Sequence, residues 1–78
     1  MRKIKLIWDF RGQVASQTAQ HHLLHLKEFA IAENINFISS GFIDLNEFHA
    51  TAFMVVDETF MILVRDALKP HRAEVFEL

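Results

Sequence analysis

The alternation of apolar and polar residues near the start of the chain predicts a half-buried strand that ends at a turn on Gly12. Period-two spacing of this kind is typical of a strand with one face on a core and the other toward solvent. The two faces are Ile4, Leu6, Trp8 and Phe10 on the inside, and Lys3, Lys5, Asp9 and Arg11 on the outside. The strand therefore fixes the inside of the protein, and it delivers Asp9 and Arg11 to one edge.

After Gly12 the apolar positions recur at steps of three and four residues, which predicts a helix of about twenty residues. Ser16 or Gln13 is the expected start of this helix. The apolar stripe consists of Ala15, Ala19, Leu23, Leu26 and Ala30. The opposite, solvent-facing side consists of Gln17, Gln20, His21, His25 and Glu28.

Three segments follow the predicted helix. Residues 35–40 are expected to form a short, irregular strand, and residues 41–47 a partly buried connection between strands. Residues 49–57 predict a third strand that is apolar on both faces, with Ala50, Ala52, Met54 and Val56 on one and Thr51, Phe53 and Val55 on the other. Such a strand belongs in the middle of a sheet.

The segment from Glu58 to Lys69 has two interpretations. Carboxylates at Asp57 and Glu58 suit the start of a helix, and Pro70 suits its end. The buried stripe of that helix would be Phe60, Leu63, Val64 and Ala67. The alternative is a hairpin that turns at residues 57–58, because residues 60–64 are also rich in strand formers. The pattern favours the helix, and residues 72–78 then form the last strand.

The resulting order β-α-β-β-α-β predicts a ferredoxin-like α+β sandwich, with two helices on one face of a four-stranded antiparallel sheet in the order 4-1-3-2. At 78 residues we expect a single domain spanning positions 1–78. This topology brings six polar residues from distant parts of the sequence to one edge of the sheet: Asp9, Arg11, His49, Lys69, His71 and Arg72.

Composition narrows the classes of function. There is no cysteine, which excludes disulfides, thiolate nucleophiles and cysteine-based zinc sites. A formal net charge of -2 argues against nucleic-acid binding, which needs a basic face.

The longest apolar run, residues 60–64, is too short to cross a membrane, and no signal-peptide pattern is present. We therefore expect a cytoplasmic protein without a membrane or nucleic-acid partner. No nucleotide-binding or metalloprotease motif is present, so we expect no cofactor.

Three segments carry a resemblance to known proteins: Trp8-Asp9-Phe10-Arg11-Gly12, Thr18 to His22 with His25 to Phe29, and Arg65 to Arg72. They resemble a group of short bacterial proteins of unknown function over most of the chain, which implies no activity. The layout is also similar to ferredoxin-like modules such as dimeric α+β barrel proteins and ACT-type regulatory domains. This similarity concerns the fold alone, since neither family's functional motif matches here.

The edge group is the first candidate site, with Asp9, Arg11, His49, His71 and Arg72 as its ligand-binding residues. The two arginines predict a clamp for a small anion, and either histidine is able to add acid or base chemistry near neutral pH. The alternative is a set of ordinary surface ion pairs, Asp9 with Arg11 and Asp66 with Arg72, which is the commoner situation for exposed charges.

The second candidate is the histidine cluster of the first helix. His21 and His25 are one helical turn apart and are able to offer two imidazoles to a metal, but a zinc site needs at least a third protein ligand. We expect no physiological metal and only weak zinc binding. By helical angle His22 lies at the margin of the buried stripe, where a histidine commonly packs and makes one hydrogen bond.

Two functional hypotheses remain. The first is a non-enzymatic interaction module that forms a homodimer through the sheet face not covered by helices, where Phe53 and Val55 would lie. Lys3, Lys5 and residues 41–47 would instead cover this face if the chain is monomeric. The second is a small enzyme or binding protein for an anionic metabolite at the edge group. The absence of a catalytic motif favours the interaction module.

Overall fold

The computed structural model describes residues 2–76, which form one four-stranded antiparallel sheet with two α-helices on one face. The elements are β1 (Lys3–Arg11), α1 (Ala15–Ala32), β2 (Ser39–Asn46), β3 (His49–Asp57), a 3-10 turn (Glu58–Phe60), α2 (Met61–Leu68) and β4 (Arg72–Phe76). The strand order β2-β3-β1-β4 is the predicted order read from the opposite edge. The ferredoxin-like layout is therefore confirmed, while the predicted end of the last strand, residues 77–78, lies outside the described residues.

The core lies between the helices and the inner faces of β1 and β3. Alternate residues of the two central strands are buried there, among them Leu6 and Met54, and they pack against the small residues of α1. The predicted apolar stripe of α1 is buried at Ala15, Ala19, Leu26 and Ala30. Small side chains let the helix axis lie close to the sheet, so the core is thin and efficiently filled. Neither Ser16 nor Gln13 caps this helix, which begins after Val14 without a side-chain cap.

Residues 58–68 are helical, so the hairpin alternative is wrong. The Asp57 carboxylate accepts the backbone N–H of Thr59 at 3.0 Å and caps the first turn. Because that turn is a 3-10 helix with three residues per turn, the buried stripe shifts from its predicted positions. Val64 is fully buried, whereas Leu63 is 43% exposed. The stripe observed is Phe60, Met61, Val64 and Leu68, and Ala67 is exposed.

The second strand differs from its prediction. Residues 35–38 are not a strand, and β2 instead occupies most of the segment expected to be a connection. β2 pairs with β3 from Ser39 opposite Val55 to Asp44 opposite Ala50. Gly41 gives room for the Phe53 ring in this pairing, because a Cβ there would lie 3.1 Å from two ring atoms of Phe53 and the ring would have to shift. β2 is an edge strand whose side chains from Phe42 to Asn46 are exposed, so it lacks the alternation that marks a half-buried strand.

Candidate functional site

Asp9 lies on the uncovered face of the sheet, near the end of β1. It stands opposite Thr51 of β3, and Arg11 stands opposite His49. β4 pairs on the other side of β1, with its first residue Arg72 opposite Ile7. Since residues directly opposite one another share a face, His49 and Arg72 both reach Asp9 diagonally from the neighbouring strands. The topology thus brings together three charged or titratable side chains that are up to 63 positions apart.

The Asp9 carboxylate accepts hydrogen bonds from both neighbours. The Arg72 guanidinium donates from Nε to Oδ2 at 2.9 Å and from its terminal nitrogen to Oδ1 at 3.0 Å. His49 Nε2 lies 2.9 Å from Oδ1, so the imidazole donates to the carboxylate through this nitrogen. The side chains of Asp9 and His49 are each only 16% exposed. The hydrogen bonds from Arg72, and then the one from His49, hold the pKa of Asp9 below its ordinary value. The hydrogen bonds to Asp9 in turn raise the pKa of Arg72.

His71 is fixed at the same edge through its backbone and its ring. Its backbone N–H donates to the carbonyl of Ile7 at 2.9 Å, and its ring Nδ1 accepts the backbone N–H of Asp9 at 2.7 Å. An imidazole nitrogen that accepts a hydrogen bond carries no proton, so the ring proton of His71 is on Nε2. The His71 ring lies edge-on to Phe10, with ring centroids 6.5 Å apart, so it is on the helix side of the sheet, whereas the Asp9 carboxylate is on the uncovered face.

Three of the five predicted site residues meet through their side chains: Asp9, His49 and Arg72. His71 contacts only the backbone N–H of Asp9. Arg11 is exposed and makes no polar contact within residues 2–76, although it lies opposite His49 in the register. The predicted ion pairs of Asp9 with Arg11 and of Asp66 with Arg72 are wrong. Asp9 pairs with Arg72, and Asp66 pairs with Arg65 at 3.1 Å. The reason is the register of β4, which brings Arg72 to the uncovered face beside β1.

This geometry restricts what the cluster does chemically. An imidazole oriented by a carboxylate is the arrangement used for general base catalysis, and His49 Nδ1 is the nitrogen left for that role. Arg72, however, is already neutralised by Asp9 in a bidentate pair, so only Arg11 offers an uncompensated guanidinium to an anion. An anion gains the help of Arg72 only if it displaces the Asp9 carboxylate.

His22 lies on the helix side of the sheet, in an aromatic setting. Its ring centroid is 5.1 Å from that of Trp8 and 5.4 Å from that of Phe10. Its Nε2 is buried and has no hydrogen-bond partner within residues 2–76, contrary to the single bond expected from the sequence. Burial lowers the pKa of His22, and the charges of His25, His71 and His21 lower it further. The neutral ring is the form that this packing stabilises.

We predict that His22 makes the fold less stable in mild acid. Its folded pKa lies below the unfolded value of about 6.5, so its neutral packing stabilises the fold fully above that pH. Below about pH 6.5 the unfolded chain takes up the proton first, and this stabilisation is lost as the pH falls toward the folded pKa. Urea denaturation at pH 5 and pH 7.5 measures the difference, and His22→Phe should reduce it. An unchanged pH dependence in His22→Phe would contradict this assignment.

His21 and His25 lie on the exposed side of α1. Their Nε2 atoms are 3.0 Å apart and their rings meet edge to face, so one imidazole donates and the other accepts. The Glu28 carboxylate lies 3.4 Å from His25 Nδ1. Within residues 2–76 no group of three or more histidine, aspartate or glutamate side chains is arranged to hold a metal ion. The absence of a physiological metal stays a prediction.

The uncovered sheet face is largely screened by its own charged side chains. Lys5 Nζ lies 4.6 Å from the centre of the Phe53 ring, and Lys3 donates to Asp57 at 3.0 Å. Val55 is fully buried on this face, and Ile7 is only 5% exposed. The lysines therefore screen part of the apolar centre of this face. Residues 41–46 do not cross the face as the monomeric alternative supposed, because they belong to the edge strand β2.

Sequence reasoning missed a second apolar surface, at the β2 edge. Exposed apolar side chains are grouped on β2 and on the flank of α1 beside it: Leu24, Phe42, Ile43 and Leu45. We call these residues, with Lys27, the β2-side surface. A groove of about 270 Å³ runs between α1 and β2, lined by Gln20, Leu23, Leu24, Lys27 and Phe42. The sequence signal for this surface was the apolar content of residues 42–45, but that segment was interpreted as a connection between strands.

Comparison with known proteins gives no match: no family model, no curated protein and no solved structure shows significant similarity to the chain. Neither α1 nor α2 combines the length and apolar content that a membrane-spanning helix needs. The functional argument therefore depends on the geometry of the edge cluster and of the β2-side surface.

Proposed function

We propose that this chain is a small, non-enzymatic interaction module that assembles into a homodimer. The observation that carries this proposal is the apolar edge of the sheet: Phe42 lines a groove with Leu24 on the helix side of β2, and Ile43 lies on the opposite face of the same strand. Leu24 is 55% exposed, Leu45 is 53% exposed, and Phe42 and Ile43 are close to 40% exposed. Exposed apolar side chains scattered singly are ordinary, but several of them on one edge strand of a small domain are typical of an interaction surface.

The β2-side surface supports the proposal better than the uncovered sheet face does. On the uncovered face, Val55 and Ile7 are already buried by neighbouring side chains, so association there would bury little additional apolar area. At the β2 edge, association buries side chains that are now in water and also pairs backbone groups of an edge strand. Both contributions favour binding through β2.

The polar cluster supports a non-enzymatic role. Both carboxylate oxygens of Asp9 accept hydrogen bonds from the protein itself, so the carboxylate is occupied within the sheet rather than offered to a ligand. The contacts of Asp9 instead join β4 and β3 to β1 at one end of the sheet.

Sedimentation velocity and light scattering test the proposal. Over about 1 to 100 µM, a range that covers weak homodimers, the wild-type protein should approach twice the chain mass of 9.1 kDa. A mass of one chain throughout this range would contradict the proposal. Dilution series at low and high salt would also show whether apolar burial or ion pairing dominates association.

A second candidate function, binding of a small anion at the edge cluster, is favoured by one specific observation. Arg11 and Arg72 both lie on the uncovered face near the end of β1, and the Arg72 guanidinium is neutralised by Asp9. If this edge binds phosphate or a carboxylate, the Asp9 side chain competes with the ligand.

Asp9→Asn should therefore strengthen anion binding rather than weaken it. Removing the carboxylate charge frees the Arg72 guanidinium while a side chain of similar size keeps the packing. Phosphate titrations followed by NMR at the Arg11 and Arg72 signals should show saturable shifts at lower concentration in the variant. Asp66→Asn is a matched control, because Asp66 is paired with an arginine away from this edge and should leave the titration unchanged. No saturable shifts in either protein would rule out an anion site.

A further inference from the structure

The two edges of the sheet are protected to very different degrees. β4, at one edge, is five residues long and carries Arg72 and Glu74. β2, at the other edge, is eight residues long, contains no proline or lysine, and has Asp44 as its single charged residue. Edge strands that are short and charged resist pairing with other chains, whereas a long apolar edge offers unpaired N–H and C=O groups to another strand. A bulge interrupts the pairing between Asp44 and Asn46, so the part of the β2 edge that is open to one further strand is residues 39–44.

The most suitable strand is β2 of a second copy, because the edge is complementary to itself. Two identical antiparallel edges pair around a two-fold axis, and residues that stand opposite each other must share a face. With Phe42 on the axis, Phe42 stands opposite the second copy's Phe42, Gly41 opposite its Ile43, and Ser40 opposite its Asp44. A register centred on Asp44 would instead oppose two carboxylates, which is unfavourable.

The flank of α1 favours the register centred on Phe42. β1 and β2 are both antiparallel to β3, so α1, which connects them, runs opposite to β2. Lys27 and Leu24 line the groove above Phe42, and the residues that follow in α1 lie toward the start of β2. In this register the second copy's Asp44 stands opposite Ser40, at the end of the groove where Lys27 lies. The interface therefore pairs a lysine with a carboxylate at each end.

We infer that two copies of this chain join along their β2 strands, with Phe42 on the two-fold axis, into one continuous eight-stranded sheet. This inference rests on the proposed function and specifies its interface. The Phe42 rings and the exposed Leu24 side chains are buried between the two α1 helices, on the helix side of the sheet. Because the β4 edge is charged, growth stops at the dimer.

Lysine substitutions at the two edges test the interface. Ile43→Lys puts a charge into the center of the β2 edge, and Val75→Lys puts the same charge on the β4 edge, at a residue of similar exposure. Ile43 is 42% exposed and Val75 is 49% exposed, so the folded monomer accommodates a lysine at either position. Ile43→Lys should weaken dimerisation by at least about a hundredfold, whereas Val75→Lys should dimerise as the wild type does. Far-UV circular dichroism and urea denaturation verify that both variants are folded.

A charge exchange tests the register. Lys27→Glu and Asp44→Lys should each weaken dimerisation, about three- to tenfold for a rim ion pair, and the double variant should recover most of the loss. If the wild-type protein is a dimer and Ile43→Lys is equally dimeric, the β2 interface is wrong while the proposed function stands. If the double variant is no better than the single variants, the register is wrong. A monomeric wild type overturns both the interface and the function.

Discussion

Replacing Trp8 with alanine should cost about 3–5 kcal/mol of unfolding free energy, which is comparable with the total stability of a domain this small. Trp8 is 2% exposed in the core. Its indole N–H donates to the carbonyl of Leu68 at 2.8 Å, at the end of α2. The substitution removes the largest side chain of the core and also leaves a carbonyl at the helix end without its donor. Urea denaturation followed by far-UV circular dichroism measures the loss, because Trp8 is the only tryptophan and fluorescence disappears with it.

Trp8→Phe separates the two contributions. Phenylalanine keeps most of the apolar contacts but has no N–H, so this variant should lose about 1–2 kcal/mol. A loss of the same size in both variants would show that the hydrogen bond to Leu68 dominates. A loss below about 1 kcal/mol in Trp8→Ala would contradict the central position of this residue in the core.

The elements that were predicted correctly are those with a strong pattern of their own. β1 has one buried and one polar face, and β3 is apolar on both faces because it lies between two strands with a helix above it. The helix at residues 58–68 was identifiable from its ends, Asp57 and Pro70. In each case the local sequence and the tertiary environment favour the same structure, which is the condition under which sequence patterns are informative.

β2 could not be located from its sequence because its extended conformation depends on pairing with β3. Phe42 and Ile43 point to opposite faces at the edge of the sheet, and both are partly exposed, so no period of two appears. Gly41 suggests a turn, although it serves to admit the Phe53 ring of the neighbouring strand. Only the pairing with β3 identifies this segment as a strand, and that information is not local.

The candidate site was predictable in its members but not in its contacts. The topology alone brings the end of β1 together with the starts of β3 and β4, which identifies Asp9, His49 and Arg72. Which arginine pairs with Asp9 depends on the face to which the first residue of β4 points. A shift of one residue in that register would turn Arg72 to the helix side and leave Arg11 as the nearest cation.

Replacing Leu26 with alanine should destabilise the fold by about 2–5 kcal/mol without affecting the dimer interface directly. Leu26 is fully buried on the core side of α1, where its removal leaves a cavity against the sheet.

Leu24→Ala is the matched control, because Leu24 is 55% exposed on the same helix. At a concentration at which the protein is monomeric, this control should change stability by less than about 0.5 kcal/mol. Leu24 lines the groove beside Phe42, so its truncation should instead weaken dimerisation by about tenfold. Denaturation and sedimentation of both variants thus separate folding from association, and a large stability loss in Leu24→Ala monomers would contradict the division of α1 into a core side and a binding side.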